Sequence, residues 1–220
     1  MQHGGDPAFL HWAKRLQAMA QTGLTYAQDP YDIARYNEMI EIAAEMIAHG
    51  AGPGGGIDAE RVRAVFAHET GHATPKLDVR TAAFRRGAEG PQVLLVREKS
   101  DGRWTVPGGW AEPGETPSQA AAREAMEESG YAVRITRVLA VWDKRAHPHP
   151  PDIRYVYKLC FEAEATHTDG SGGDGKETDG VGFFARDALP ELSLARILPT
   201  QLQALFDLHE AGPSAPALFD

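Results

Sequence analysis

The sequence predicts an α/β sandwich built on a mixed sheet and preceded by a small all-α region. Three observations lead there. Apolar residues recur at helical spacing through residues 6–66, the period shortens to that of strands from Lys76, and a sharply bounded helix interrupts the strands.

The elements follow in order. Asp6-Pro7 opens a segment with Phe9, Trp12, Leu16 and Met19 on one face that ends at Gly23, and Asp29-Pro30 opens a second with Ile33, Tyr36, Ile40, Ala43 and Ile47. Together they read as an amphipathic hairpin. Residues 50–56, GAGPGGG, read as a flexible linker, and Val62, Val65 and Phe66 mark a short third helix. A boundary near residues 71–75 divides the chain into a helical region, residues 1–72, and a second domain, residues 73–220. In that domain residues 77–80, 92–97, 138–142, 153–161 and 181–184 read as strands, 170–175 as a loop and 198–210 as a terminal helix.

The interrupting helix is the best-defined element. Thr116 suits the N-cap, Pro117 the first turn, Gln119 completes a Thr-x-x-Gln capping box, and Gly130 supplies the stop, so the helix spans about residues 117–129. Glu124, Glu127 and Glu128 fall three and four residues apart on one face. Each like-charge pair costs roughly 0.2–0.5 kcal/mol without a counterion. A hard, oxygen-seeking divalent cation such as Mg²⁺ reverses that cost. On the other face Ala121, Ala122, Ala125 and Met126 are expected to press against a sheet. Before the helix, Pro107-Gly108-Gly109 lets backbone approach a ligand without a Cβ in the way.

Composition narrows the class of partner. With 31 acidic against 22 basic residues the 220-residue chain carries a net charge of -9, which argues against a broad surface for nucleic acid. Anionic substrates must then be met by metal ions and a local basic patch. The single Cys160 excludes an intrachain disulfide and a cysteine zinc site, and its apolar setting reads as a core thiol. The sequence shows neither an apolar run of membrane-spanning length nor a signal-peptide core, so no membrane partner and a cytoplasmic location are expected.

Gly109, five residues, Glu115, seven residues, then Arg123-Glu124-Ala125-Met126-Glu127-Glu128-Ser129-Gly130-Tyr131 resembles the Nudix box at every fixed position. The resemblance implies a Nudix-type α/β/α sandwich. It also implies metal ligands at Glu124, Glu127, Glu128 and the Gly108 carbonyl, and an orienting ion pair between Glu115 and Arg123. Gly175-Lys176-Glu177 resembles the place where some Nudix enzymes carry a loop glutamate that binds metal or serves as base. Pyrophosphate chemistry fits such a set: Mg²⁺, or Mn²⁺, neutralises the phosphate oxygens and acidifies a bound water, and Glu124 or Glu177 accepts the proton.

The flanks are similar to one subfamily. The stretch from Trp12 to Ala48, with TPKLDVR, VWDKRAHPHPP, YVYKL and ETDGVGFFARDALPELSLAR, resembles Nudix hydrolases of linked nucleoside diphosphates, the CDP-choline pyrophosphatase type. That resemblance implies cleavage of a nucleoside diphosphate linked to X (CDP-choline, ADP-ribose or a nucleotide sugar) into a nucleoside monophosphate and phospho-X. It further implies a homodimer assembled through the N-terminal hairpin, with packing of the hairpin on its own domain as the alternative. Trp110, Trp142 and Tyr155 are candidates to stack on a base, Tyr155 and Tyr157 sharing one strand face. Lys144, Arg145 and Arg154, with His147 and His149, are candidates to meet phosphates. House-cleaning hydrolysis of nucleoside triphosphates, nucleotide sensing without catalysis, and RNA-end hydrolysis remain alternatives for the same residues.

Overall fold

The structure is a computed structural model that describes residues 6–50, 58–88, 90–168 and 172–220. The linker expected at 50–56 lies outside the described residues except for Gly50, and the loop at 170–175 is described from residue 172. Two compact units form, Met1–Pro75 with Pro151–Tyr155, and Lys76–Pro150 with Val156–Asp220.

The first unit is helical. Helices α1 (Ala8–Tyr26), α2 (Pro30–Gly50) and α3 (Ala59–Ala67) bury Leu10, Ala13, Ala43, Ala44, Ile47, Val62 and Phe66 against one another. Asp6 does not cap α1, whose N-cap is Pro7; its carboxylate instead meets the buried Lys14 at 3.0 Å. Gly23 does not end the helix either. A Cβ there would lie 2.4 Å from Cζ of Tyr36, so this glycine makes room for a ring of α2. Tyr155 belongs here as well, under the Lys14 ammonium at 4.7 Å, and is not part of a strand.

The second unit has three layers. Its strands are β1 (Lys76–Arg86), β2 (Pro91–Glu98), β3 (Trp104–Thr105), β4 (Tyr131–Asp143), β5 (Val156–Thr168), β6 (Thr178–Ala185) and β7 (Leu218–Phe219). They form one mixed sheet in the order β3-β2-β1-β5-β4-β7, with β6 also on β2. β1 runs parallel to β5 and antiparallel to β2. Helix α5 (Pro199–Ala211) covers one face, where Leu202, Leu205 and Phe206 pack on Phe84, Val93, Leu95, Leu139 and Cys160. Helix α4 (Pro117–Ser129) covers the other, where Ala120 and Ala121 pack on Val79 and Phe161. Fully buried Cys160 has its thiol pushed up to about 12 by desolvation, as a core thiol should.

Helix α4 has the expected bounds. Thr116 Oγ1 accepts from Gln119 N, the Gln119 side chain accepts from Thr116 N, and Gly130 closes the helix at φ 70°. Strand β4 starts well before residue 138, and Arg134 and Arg137, which pair with Glu164 and Glu162 of β5, break the apolar alternation that would have marked its first half. β3 and β7 are two residues each, too short for a periodic signal. Removing the N-cap oxygen with Thr116→Ala should cost about 1 kcal/mol of domain stability in chemical or thermal unfolding. An unchanged unfolding midpoint would contradict the capping role.

Candidate active site

Strand β1 is shared between two neighbours. It pairs with β2 only through residues 84–86, and the edge left over at residues 77–81 is taken by the glycine loop. Val79 N donates to the Gly109 carbonyl at 2.8 Å, Thr81 N to Pro107 at 2.8 Å, and Ala111 N to Leu77 at 3.0 Å. Gly108 sits at φ 148°, and a Cβ on it would lie 2.0 Å from the Val79 carbonyl oxygen, so only glycine fits. Its N–H donates outward to Oε2 of Glu128 at 2.9 Å. A Cβ on Gly109 would lie 2.8 Å from Oε1 of Glu124. Loop and helix are thereby brought within contact at two glutamates.

The box residues divide into two groups. Arg123 grips Glu115 with Nη2 and Nε at 2.9 and 3.1 Å, and its Nη1 lies 3.0 Å from both Glu124 and Glu127. The Glu115 carboxyl is held below the usual range by the Arg123 fork and the Glu112 N–H. Glu128 stands apart, 6% exposed, and burial pushes its carboxyl up to about 8 against the opposing Arg80 charge and Gly108 N–H. Burial also raises Glu124, against the lowering by Arg123. Glu127 is half-exposed. The apolar stripe of α4 is Ala120, Ala121 and Ala125, whereas Met126 is 39% exposed and Ala122 only half-buried. Burial of Glu128 and Ser129 shows that the helix is rotated from the expected orientation.

These groups suit a hard divalent cation. Every side-chain donor is a carboxylate oxygen, and the raised Glu128 marks a buried acid whose charge its neighbours do not balance. Among the described residues no three His, Cys, Asp or Glu side chains converge on one point, and Arg123 draws Glu124 and Glu127 to itself. A cation at Glu124 and Glu127 therefore competes with Arg123. Gly108, expected to offer its carbonyl, is engaged through its N–H.

Exposed Glu177 lies on a loop fastened to the end of α4. Asp174 N donates to the Glu127 carbonyl at 2.7 Å and Thr178 Oγ1 to that of Glu128 at 2.8 Å, while Lys99 N donates to the Glu177 carbonyl at 2.9 Å. Gly173 makes this docking possible, since its Cβ would lie 2.4 Å from the Glu128 carbonyl oxygen.

The expected pocket residues scatter. Trp110 is 47% exposed beside the box, its carbonyl 3.5 Å from Arg123 Nη2. Trp142, in contrast, is 4% exposed and fills the core under α5, so its ring is withdrawn from any ligand. Arg145 turns back on Asp143 at 2.7 Å, in the short 3₁₀ turn Lys144–Ala146 that also holds Lys144. Exposed Arg154 and half-buried Tyr155 belong to the helical unit. His147 meets Asp220 at 3.1 Å and His149 donates from Nδ1 to the Leu194 carbonyl at 2.7 Å, so the two rings do not form a metal pair. Sequence reasoning passed over the buried charges Asp78, Arg80 and Lys158, and the buried Glu98, which Arg196 meets at 2.8 Å. The available signal was charge at inward-facing positions of apolar strands.

Residues 7–66 match the family model described as a UDP-X-like, N-terminal oligomerisation domain, and residues 76–205 match the NUDIX domain. The Bacillus subtilis (strain 168) protein named "Putative ADP-ribose pyrophosphatase YjhB" is 41% identical over 212 residues, 96% of this chain and 97% of its own. A crystal structure of a UDP-X diphosphatase superposes with a TM-score of 0.59 at 29% identity, covering 96% of this chain and 98% of that one. A crystal structure of an ADP-ribose pyrophosphatase from Streptococcus suis 89-1591 does so at 0.56 and 32%, covering 67% of this chain and 100% of that one.

Glu128 links pH, metal and stability. Its folded pKa lies above the unfolded value, so the stability it contributes is complete below about pH 4.5 and is lost as pH rises through about 8. In metal-free protein Glu128→Gln should therefore raise the melting temperature increasingly from pH 6 to 8.5, at roughly 2–4 °C per kcal/mol recovered. Mg²⁺ should stabilise the wild type far more than this variant. Equal pH slopes and equal Mg²⁺ shifts would contradict the assignment.

Proposed function

The chain belongs to the Nudix hydrolase family, and on that premise we propose that it is a divalent-metal-dependent pyrophosphohydrolase of linked nucleoside diphosphates, releasing a nucleoside monophosphate and phospho-X. The observation that carries this reading is the contact of the Pro107-Gly108-Gly109 loop with Glu124 and Glu128 of a capped helix that also presents Glu127. Glu124, Glu127 and Glu128 would hold Mg²⁺, or Mn²⁺ in its place. Bound there, the ion supplies charge neutralisation at the diphosphate oxygens and a more acidic water.

The chain's own residues do the rest. Arg123, anchored by Glu115, holds Glu124 and Glu127 in place until the ion takes over at least one of them, and Glu124 or Glu177 takes the proton of the attacking water. Exposed Trp110 offers a face on which a base can stack, an interaction worth roughly 1–3 kcal/mol. ADP-ribose and UDP-linked compounds head the substrate class because the relatives that align over nearly the whole chain carry those names. CDP-choline belongs to the same chemical class.

The helical unit supports a homodimer. It leaves Trp12, Met19, Tyr26 and Tyr31 between 54% and 72% exposed, an apolar surface that a second copy can cover. Among the described residues no helix is long and apolar enough to cross a membrane.

Product analysis over ADP-ribose, CDP-choline, UDP-sugars and nucleoside triphosphates tests the reading. A monophosphate plus phospho-X is expected from at least one linked diphosphate, whereas inorganic pyrophosphate released from triphosphates alone would overturn it. Glu127→Gln should reduce turnover by about two orders of magnitude or more. Largely retained turnover with ordinary metal dependence would contradict the site.

A further inference from the structure

Asp78 and Arg80 of β1 and Lys158 of β5 are 4%, 6% and 1% exposed, so three charged side chains are buried together in the sheet. Asp78 and Lys158 are register partners, Arg80 Nε donates to Asp78 Oδ1 at 2.9 Å, and the Lys158 ammonium donates to Oδ2. Burial disfavours the Asp78 carboxylate, but Arg80 and Lys158 outweigh it and hold the acid below its ordinary range. Desolvating such ions is costly, and apolar side chains of like volume often serve a core as well or better. Stability alone is a weak reason for this cluster.

Its position under the glycine loop supplies a stronger one. A Cβ on Gly108 would lie 2.9 Å from the Arg80 Cα, and the amides on either side, of Val79 and Thr81, hold the carbonyls of Gly109 and Pro107. Arg80 Nη1 reaches the Val106 carbonyl at 3.4 Å. Two residues further on, the Gly108 N–H holds Glu128. A chain of contacts thus joins Lys158, Asp78, Arg80, the loop backbone and Glu128. The Arg80 charge also acts on Glu128: burial opposes the cation, but Asp78 and then Glu128 favour it.

We infer that the Asp78–Arg80–Lys158 triad is a positioning device for Glu128, in which the carboxylate fixes the Arg80 guanidinium beneath Val106–Gly109 and so keeps the Gly108 N–H aimed at the helix. None of the three touches substrate in this role. Only the kinetic consequence rests on the proposed hydrolase activity.

Two variants of the 220-residue chain test it. Arg80→Lys keeps the cation but loses the planar fork that spans Asp78 and Val106. Asp78→Leu/Arg80→Met/Lys158→Met removes all three charges at once, so that none is left unpaired. In metal-free protein the amides of Val79, Thr81 and Gly108 should exchange hydrogen about tenfold faster in both variants, with protection in β4 and β5 unchanged. Where the wild type turns over a linked diphosphate, kcat should fall by roughly 10- to 100-fold while KM moves less than about threefold.

Wild-type exchange and kcat in Arg80→Lys would overturn the inference, as would loss of protection spread evenly over the sheet. A triple variant that fails to fold would make the triad a stability element and overturn it too. A wild type inactive on every linked diphosphate would defeat the functional proposal instead, and the exchange comparison would still decide the positioning role.

Discussion

The docking of the glycine loop on the edge of β1 is the constraint from which the site follows. A strand edge left by β2 must find hydrogen-bond partners, and residues 107–111 provide them through backbone groups at 2.8–3.0 Å. The approach is so close that Gly108 has no room for a side chain. Because its carbonyl neighbours are committed to the strand, the Gly108 N–H is free to turn toward α4, where it meets Glu128. Sheet, loop and helix are locked at one point.

That lock sets the electrostatics. Along the last turns of α4 the glutamates pass from buried Glu128, through partly buried Glu124, to half-exposed Glu127. Arg123 compensates the outer two, while the inner one relies on a backbone N–H and the charge of Arg80. A carboxylate helix that is poorly balanced by protein alone is receptive to a divalent cation. Its rear support comes from the sheet, and its far end from the Glu177 loop clasped to the carbonyls of Glu127 and Glu128.

What the sequence makes legible is what acts over a few residues. Thr116, Pro117, Gln119 and Gly130 state the bounds of α4 locally, and the box glutamates follow from helical spacing, so both read directly. Features made by distant partners do not. Gly23 reads as a helix stop but yields space to Tyr36, Tyr155 reads as strand but lies under Lys14, and Met126 reads as buried though α4 is turned to bury Glu128. Trp142 adjoins a basic loop in sequence yet fills the core. The Asp78–Lys158 pair spans 80 residues and exists only once β1 and β5 are paired, which no local pattern announces. Subfamily resemblance reaches the helical unit, where the exposed aromatics of α1 and α2 give it a physical reading.

If the loop and α4 together form a divalent-metal site, manganese should bind between them. Anomalous diffraction from crystals grown with Mn²⁺ tests it most directly. Manganese should be bonded to oxygens of Glu124, Glu127 and Glu128, with Arg123 displaced from at least one of them. Manganese bound elsewhere in the domain, with Arg123 still gripping Glu124 and Glu127, would contradict it.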